Sequence, residues 1–206
     1  MHPNSEVLQR LFSGLNRHDH EAMAACYQKN ATFRDIAFWL KGKNQIHAMW
    51  HLICAPPEHP ADIKAMFQII HADEHSGWVN LVDEYTFGPN RNKVINVIDS
   101  HFRFRDGLIE SQNDFCDSRS WAAMAIGGLR GFLAGEFRFL RSRNAAALLR
   151  EFVRKHPQYL PWPSAALIQT FFAIGKLFFN YRARDGYHSD FFRPRVGVRN
   201  DDYALD

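Results

Sequence analysis

The first fifty residues place apolar side chains three or four positions apart, which is the spacing of helices with one buried face. This spacing predicts helices over residues 5–15, 20–28 and 44–53, and Asp19 is suited to cap the second helix. Between the second and third helices, residues 31–38 partly alternate between apolar and polar side chains, and this alternation predicts a strand.

Alternation with a period of two dominates the middle of the chain and predicts four long strands. They cover residues 63–73, 78–87, 93–105 and 108–115, and an Asp-Gly pair between the last two is typical of a hairpin turn. Helices followed by consecutive antiparallel strands indicate an α+β fold rather than alternating α/β units.

Helical spacing returns after the last strand and predicts a helical C-terminal extension. One helix is predicted over residues 121–140, and Ser142 or Asn144 is suited to cap another that ends near residue 155. The later segment 164–181 is strongly apolar and approaches the length of about 20 residues that crosses a bilayer. Three interpretations of it stay open: a lid or dimer-contact helix, a helix that lies in a membrane interface, and a true membrane span.

Composition narrows the class of protein. Of 206 residues, 46% are hydrophobic and 23% are charged, which is an ordinary globular composition that can bury a substantial core. The three cysteines lie far apart and form no C-x-x-C pair, so neither a disulfide framework nor a zinc knuckle is indicated. The N-terminus lacks a basic start and an apolar run, so we expect no signal peptide and a cytoplasmic location.

The charge is unevenly divided along the chain. Residues 1–118 hold 11 Lys and Arg against 15 Asp and Glu, a net charge of −4, whereas residues 119–206 hold 14 against 7, a net charge of +7. A basic C-terminal part can contact anionic lipid, nucleic acid or the acidic half of a dimer partner, or it can form a solvated Arg-rich helical face. The solvated face is the simplest interpretation, and we predict no nucleic-acid partner.

Two stretches carry a family resemblance. The first comprises residues 15–19 (Leu-Asn-Arg-His-Asp) and 30–35 (Asn-Ala-Thr-Phe-Arg-Asp), followed by Gly42 before the third predicted helix. The second comprises residues 100–110 (Ser-His-Phe-Arg-Phe-Arg-Asp-Gly-Leu-Ile-Glu). In this order and spacing they resemble the opening and the final hairpin of the nuclear transport factor two-like superfamily. Within it, the chain is most similar to SnoaL-like polyketide cyclases and ketosteroid isomerases.

The resemblance implies a cone-shaped domain over residues 1–130, in which a curved antiparallel sheet and three N-terminal helices surround an apolar pocket. Residues 131–206 would then form a helical and partly irregular extension. The resemblance also implies a small hydrophobic ligand, a homodimer that pairs through the outer face of the sheet, and chemistry without a cofactor or metal.

Asp35 is the residue that the resemblance marks as catalytic. It matches the position of the base in ketosteroid isomerases, where an Asp removes a proton next to a carbonyl. A carboxylate at the mouth of an apolar cavity is partly desolvated and therefore becomes a better base. The alternative is an exposed strand-end carboxylate paired with Arg34.

The oxyanion hole of the isomerases is not matched. Leu11 stands where those enzymes have a Tyr, and Ser100 stands where they have a protonated Asp, because Asp99 is one residue off and should face the other side. Loss of a single oxyanion donor typically costs ~10²–10³ in rate, so a true steroid isomerase is not expected.

Strand parity and helix faces predict the lining of the pocket. The candidates for substrate contact share an inward position or an aromatic ring: Phe33, Trp39, Trp50, Tyr85, Ser100, Phe102, Asn113 and Phe115.

Two further groups of residues, one acidic and one of histidines, have side chains that could take part in a reaction or bind a metal. Asp114 and Asp117 lie near the place where SnoaL-like cyclases have an acidic base, but the spacing after Glu110 is one residue longer than in those proteins. His47 and His51 have the i, i+4 spacing of metal ligands without a recognisable third ligand, so no metal site is predicted.

Three functions remain from the sequence. The first is an isomerase, cyclase or dehydratase that uses Asp35 as its base on a hydrophobic cyclic carbonyl compound. The second is a non-catalytic ligand-binding or assembly module, which the apolar Leu11 favours. The third is peripheral membrane association through residues 164–181.

Overall fold

In the computed structural model, the described residues 2–56 and 60–160 form helices and strands in nearly the predicted order. The helices are α1 (Pro3–Asn16), α2 (His20–Ala25), α3 (Lys43–Cys54), α4 (Ser118–Ala125), α5 (Gly128–Glu136) and α6 (Arg138–Lys155), followed by a 3-10 turn, Pro157–Tyr159. The strands are β1 (Tyr27–Arg34), β2 (Trp39–Lys41), β3 (Lys64–Ala72), β4 (Ser76–Phe87), β5 (Asn92–Arg105) and β6 (Leu108–Phe115). The apolar segment 164–181 lies outside the described residues.

The strands form one curved, unclosed sheet in the order β2-β1-β6-β5-β4-β3. Neighbouring strands are antiparallel except for β1 and β6, which run parallel and are separated along the chain by the helix α3 and four strands. The α+β class, the curved sheet and the three N-terminal helices are confirmed. The expectation of a wholly antiparallel sheet is wrong at this one pair.

The core lies between α1 and the inner face of the sheet. Phe12 on α1 packs against Phe67 and Phe102, with ring centroids 5.1 and 6.2 Å apart. Leu11, on the same helix, is fully buried. The aromatic content that the sequence displays therefore serves, at these positions, to join the helix layer to the sheet.

The strand predicted over residues 31–38 ends early: β1 stops at Arg34, and residues 35–38 form a tight turn that leads into β2. The side chain of Asp35 accepts hydrogen bonds from the backbone N–H groups of Ala37 and Phe38, and the N–H of Asp35 donates to the carbonyl of Phe38 at 3.1 Å. These bonds reverse the chain and pair β1 with β2. Hydrogen bonds between a carboxylate and the backbone of its own turn cannot be predicted from the alternation of apolar and polar residues.

The predicted helix over residues 121–140 is also divided. Gly127 and Gly128 both have positive φ angles, 69° and 56°, and they separate α4 from α5. Phe137 is extended and separates α5 from α6, which begins before the predicted caps Ser142 and Asn144. Glycine reaches the left-handed region at little cost, so a pair of glycines ends a helix even where apolar spacing continues.

The helices after the sheet fold back onto the loop between β1 and β2. Arg138 donates a hydrogen bond to the carbonyl of Asp35 at 3.0 Å, and Arg141 donates to the carbonyl of Ile36 at 3.1 Å. The described residues 2–56 and 60–160 belong to one compact unit. Within the described part of the chain, no helix is both long and apolar enough to cross a membrane.

Candidate active site

Asp114 lies on the inner face of the sheet and is held by two neighbours. Ser100, its partner across β5 and β6, donates a hydrogen bond from Oγ to Oδ1 at 2.7 Å. Gln112 donates from Nε2 to both oxygens, at 3.0 and 2.9 Å. These donors fix the orientation of the carboxylate and leave it able to accept a further proton.

The hydrogen bonds continue from Gln112 into the helix layer. The hydroxyl of Tyr27 donates to Oε1 of Gln112, and Trp50 on α3 donates from Nε1 to the same hydroxyl at 3.2 Å. Gln112, Tyr27 and Trp50 are all buried. The chain of bonds orients Gln112, because its amide oxygen faces a donor and its amide nitrogen therefore faces Asp114.

Asp83 is a second carboxylate on the inner face, and it is more deeply buried than half-buried Asp114. Its partner across β4 and β5 is Asn96, and both side chains are 8% exposed. Among the residues that the structure describes, Oδ1 of Asp83 has no hydrogen-bond partner. A buried acceptor without a donor costs free energy, and this cost is lowest when the acid is protonated.

Burial is the main cause of altered proton affinity at these acids. It raises the pKa of Asp83 to about 8, and the charge of Asp114 contributes in the same direction. It raises the pKa of Asp114 to about 7, against the hydrogen bonds from Gln112 and Ser100 and with smaller contributions from the charges of Asp35 and Asp99. Near neutral pH this pair therefore combines a largely protonated acid with a half-ionised one.

Asp35 is a third carboxylate in the same electrostatic environment. Burial raises its pKa, whereas the N–H groups of Phe38 and Ala37 and the guanidinium groups of Arg138 and Arg141 oppose this rise. The charge of Asp35 also raises the pKa of Tyr85 and Cys116, after the larger effect of their burial. Asp35 thus belongs to the interior group, but its Oδ1 is used to close its own turn.

Five of the predicted contact residues face inward. Phe33 and Trp50 pack edge to face with centroids 5.7 Å apart. Ser100 and Phe102 are buried on β5, and the hydroxyl of Tyr85 accepts a hydrogen bond from Nε1 of Trp121 at 2.8 Å. Phe102 packs against the core ring of Phe12, and Ser100 donates its hydroxyl to Asp114. Both side chains are therefore already engaged in contacts within the protein.

Trp39, Asn113 and Phe115 lie on the opposite face of the sheet from Ser100, which differs from the prediction. Trp39 pairs with half-buried Arg34 and is itself 44% exposed. Asn113 pairs with His101, and Phe115 is 48% exposed with its ring 5.7 Å from that of His101.

The reason for the difference on β6 is an irregularity in the register. Between β5 and β6 the pairing shifts after Arg103, which is opposite Ser111, so that Phe104 is opposite Ile109. Glu110 is therefore the extra residue of a β-bulge, and every later side chain on β6 changes face.

Three residues of the group were not identified from the sequence: Asp83, Gln112 and Tyr27. Asp83 follows the buried residues Val79 and Leu81 at a spacing of two, and a charged residue at an inward position of a strand is a detectable signal. Gln112 and Tyr27 carry no such signal, because their roles depend on the bulge and on contacts between distant segments.

Comparisons with known proteins agree with this architecture. The family model described as a SnoaL-like domain matches residues 8–112, which is half of the chain. No curated protein sequence matches the chain.

Several solved structures share the fold. A putative polyketide cyclase from Silicibacter sp. is 18% identical with a TM-score of 0.51, covering 59% of this chain and 93% of its own. A ketosteroid isomerase-like protein from Catenulispora acidiphila, in complex with trimethylamine, is 15% identical with a TM-score of 0.51, covering 58% and 92%. A nuclear transport factor two-like protein of unknown function from Burkholderia pseudomallei is 13% identical with a TM-score of 0.52, covering 61% and 99%.

The chain therefore belongs to the SnoaL-like domain family, and it shares the fold of nuclear transport factor two-like proteins.

Proposed function

We propose that this protein is an acid–base catalyst that isomerises, cyclises or dehydrates a small hydrophobic molecule carrying a carbonyl or hydroxyl group. The observation that supports the proposal is the inward position of Asp114 and Asp83: Asp114 is oriented by hydrogen bonds, and buried Asp83 has an oxygen without a partner in the part of the chain that the structure describes. Two acids with different surroundings provide a base and an acid in one site.

In this proposal Asp114 is the base. Its ionised carboxylate removes a proton from a carbon next to the substrate carbonyl, or from a substrate hydroxyl, and becomes a neutral acid. Protonated Asp83 donates its proton to the oxygen on which charge develops. In an isomerisation Asp114 then gives its proton to another carbon of the enol, and Asp83 takes back the proton of the enol oxygen, so that both acids return to their starting states. The apolar pocket that receives the substrate remains a prediction, with Phe33, Trp50 and Tyr85 as its proposed wall.

Asp35 is the competing candidate for the base. Its burial and raised pKa favour that role. Its two backbone hydrogen bonds disfavour it, because removal of the charge would also loosen the turn between β1 and β2. We therefore assign Asp35 to the turn and to the electrostatic environment of Asp114.

A non-catalytic ligand-binding role is the second candidate function. It is supported by fully buried Leu11, which offers no hydroxyl, and by Ser100, whose hydroxyl is already donated to Asp114. A site without a free donor for a developing oxyanion binds a ligand more readily than it transforms one. In this reading protonated Asp83 would be a ligand contact only.

The first experiment uses a probe that needs only a base. We would assay the full chain with 5-nitrobenzisoxazole, whose ring opens to a coloured product when one C–H proton is removed. Asp114→Asn should lower the rate by about 10²–10⁴-fold, the usual contribution of a positioned base. Glu110→Gln is the matched control, because Glu110 is a carboxylate on the same strand that pairs with Arg105 instead.

Each outcome assigns a role. Loss of turnover in Asp114→Asn with retention in Asp35→Asn supports the proposal. The reverse result transfers the base to Asp35. Equal rates in the parent protein and both variants would contradict catalysis and favour the binding role, which ligand-induced quenching of Trp50 fluorescence would then report.

We also propose that two copies pair through the outer face of the sheet. Met66, Val82 and Val97 form one row across β3, β4 and β5, and Met66 and Val97 are each 42% exposed. Ile95 and Phe115 extend the exposed apolar surface on the same face. When a second copy covers such an apolar row, the row is removed from water, and this burial stabilises the dimer.

A further inference from the structure

A separate group of titratable side chains lies where α2 meets α3. His20 and Glu21 begin α2, and His47 lies in the second turn of α3. Nδ1 of His20 is 3.0 Å from Nε2 of His47, which is 3.4 Å from Oε1 of Glu21. The third separation, from Nδ1 of His20 to Oε1 of Glu21, is 3.8 Å.

These separations are those of a metal site. Zinc binds histidine nitrogen and carboxylate oxygen at about 2.0–2.2 Å in a tetrahedral arrangement, so two ligand atoms lie about 3.3–3.5 Å apart. The three observed distances bracket that value, and an ion can be placed within bonding reach of all three atoms after movements of a few tenths of an ångström. Two imidazoles and one carboxylate are also a donor set that zinc uses when its fourth position is open.

The position admits an ion from solvent. The side chains of His20 and His47 are 22% and 17% exposed, whereas that of Glu21 is 74% exposed. The histidines are thus fixed within the protein, and the carboxylate forms the outer edge of the site. A water molecule or a ligand oxygen can reach the fourth position from that edge.

Neighbouring rings hold the two histidines in place. His51 stacks on His20 with centroids 3.8 Å apart and planes inclined by 19°, and Nδ1 of His51 forms a hydrogen bond with the hydroxyl of Tyr159 at 2.8 Å. The ring of Tyr159 also contacts His47 edge to face at 5.0 Å. Such outer contacts orient metal ligands and tune their affinity.

A simpler interpretation is a hydrogen bond between the two imidazoles beside an ion pair with Glu21. That arrangement needs one N–H between His20 and His47 and accounts for the 3.0 Å distance. It treats the approaches of Glu21 to the two nitrogens, at 3.4 and 3.8 Å, as a separate ion pair. The metal interpretation accounts for all three distances together.

We propose that His20, Glu21 and His47 bind one divalent transition-metal ion, with Zn²⁺ as the best match and a fourth position open to water. Helical spacing in the sequence singles out His47 and His51 as possible metal ligands. In the proposed site His20 takes the place of His51 as a ligand, and the ring of His51 stacks on His20 and supports it. The site joins α2 to α3, and it is independent of the proposed chemistry at Asp114.

The test is a titration of the full chain after treatment with chelator and dialysis. Zn²⁺ is followed by calorimetry, and Co²⁺ by its visible absorption, which is intense only in four-coordinate sites. We expect one equivalent to bind and Zn²⁺ to raise the melting temperature, since an ion that binds the folded state stabilises it. His47→Gln should weaken binding at least 10–100-fold, the loss that even supporting residues of metal sites cause.

Two further variants keep the test decisive. Glu21→Gln changes an exposed side chain, so it should fold normally, weaken binding at least about tenfold and change the Co²⁺ spectrum. His71→Gln is the matched control, because exposed His71 is paired with Asp73 at 2.8 Å outside this group, and it should leave binding unchanged. Equal affinity in the parent protein and in both ligand variants, or an equal loss in His71→Gln, would overturn the proposal.

Discussion

The hydroxyl of Ser100 donates a hydrogen bond to Asp114 at 2.7 Å across the β5–β6 pair. Resemblance to the isomerases places Ser100 among groups that donate to the substrate. In this chain the hydroxyl instead stabilises the ionised form of a neighbouring acid, so it lowers the proton affinity that burial raises. In this chain Ser100 therefore lowers the pKa of a candidate base and does not serve as a hydrogen-bond donor to a substrate oxyanion.

Replacement of Ser100 should make Asp114 harder to ionise. A hydrogen bond to a charged group contributes about 1.5–3 kcal/mol, and one pKa unit corresponds to about 1.4 kcal/mol. Ser100→Ala should therefore raise the pKa of Asp114 from about 7 by at least about one unit. Carbon-13 chemical shifts of the Asp114 carboxyl, followed from pH 4 to 10, would measure the change.

Ser111→Ala is the control for that titration, because Ser111 is on the same strand but opposite Arg103. An unchanged Asp114 pKa in Ser100→Ala would contradict the hydrogen bond as a determinant. If probe turnover is detected, its rising pH limb should move by the same amount, since the limb reports ionisation of the base.

Asp83 should make the protein less stable as the pH rises. Its folded pKa of about 8 is above the unfolded value of about 3.9, so the folded state binds the extra proton between these values. The resulting stability is fully present below about pH 3.9 and is lost as the pH rises through about 8. Asp83→Asn should therefore increase the free energy of unfolding by about 1–3 kcal/mol at pH 9 and change it little at pH 4.

Urea unfolding of the parent protein and of Asp83→Asn at both pH values measures this difference. Glu84→Gln, on the same strand but in an exposed ion pair with Lys93, should leave the difference between pH 4 and pH 9 unchanged. A parent protein whose stability does not fall between these values would show that Asp83 titrates normally.

The outer face of the sheet should determine the oligomeric state. Val97→Lys places a charge in the centre of the row formed with Met66 and Val82, and a buried unpaired charge is strongly unfavourable at an interface. The variant should be monomeric in light scattering at micromolar concentrations, where the parent protein should be a dimer. Ile126→Lys changes an equally exposed apolar residue beyond α4 and should leave the dimer intact. A monomeric parent protein would contradict the proposed pairing.

The sequence predicted helices and strands well where the spacing of apolar residues stayed constant along the whole element. The strand over residues 108–115 matches β6, and the cap at Asp19 is confirmed by its hydrogen bond from the N–H of Ala22 at 2.9 Å. Predictions failed where one local contact interrupted a pattern. The Asp35 turn ended a predicted strand four residues early, and the Gly127-Gly128 pair divided a predicted helix, because a tight turn changes the direction of the chain without changing its hydrophobicity.

The candidate site was less predictable than the fold. The choice between inward and outward positions on β6 depends on the bulge at Glu110, and a shift by one residue exchanges the faces. Asp114 therefore lies inside, and Asn113 lies outside. The link from Gln112 to Tyr27 joins residues 85 positions apart and follows from no local pattern.

Arg141 joins α6 to α5 and to the loop between β1 and β2. It is 8% exposed, its Nε donates to the carbonyl of Ile36 at 3.1 Å, and its Nη1 donates to the carbonyls of Ala134 and Gly135. Arg141→Gln should lower the free energy of unfolding by about 2 kcal/mol, because hydrogen bonds from a charged group contribute about 1.5–3 kcal/mol.

Replacement of Arg141 should also change the pKa of Asp35 and the stability of its turn. Its positive charge lowers the pKa of that acid, so its removal should raise the pKa and increase amide exchange in the turn at residues 35–38. Arg143→Gln, an exposed position on the same helix, should change stability by less than about 0.5 kcal/mol and leave the turn protected. Equal stability and equal exchange in the two variants would mean that α6 packs through its apolar face alone, since the guanidinium group would then contribute nothing measurable.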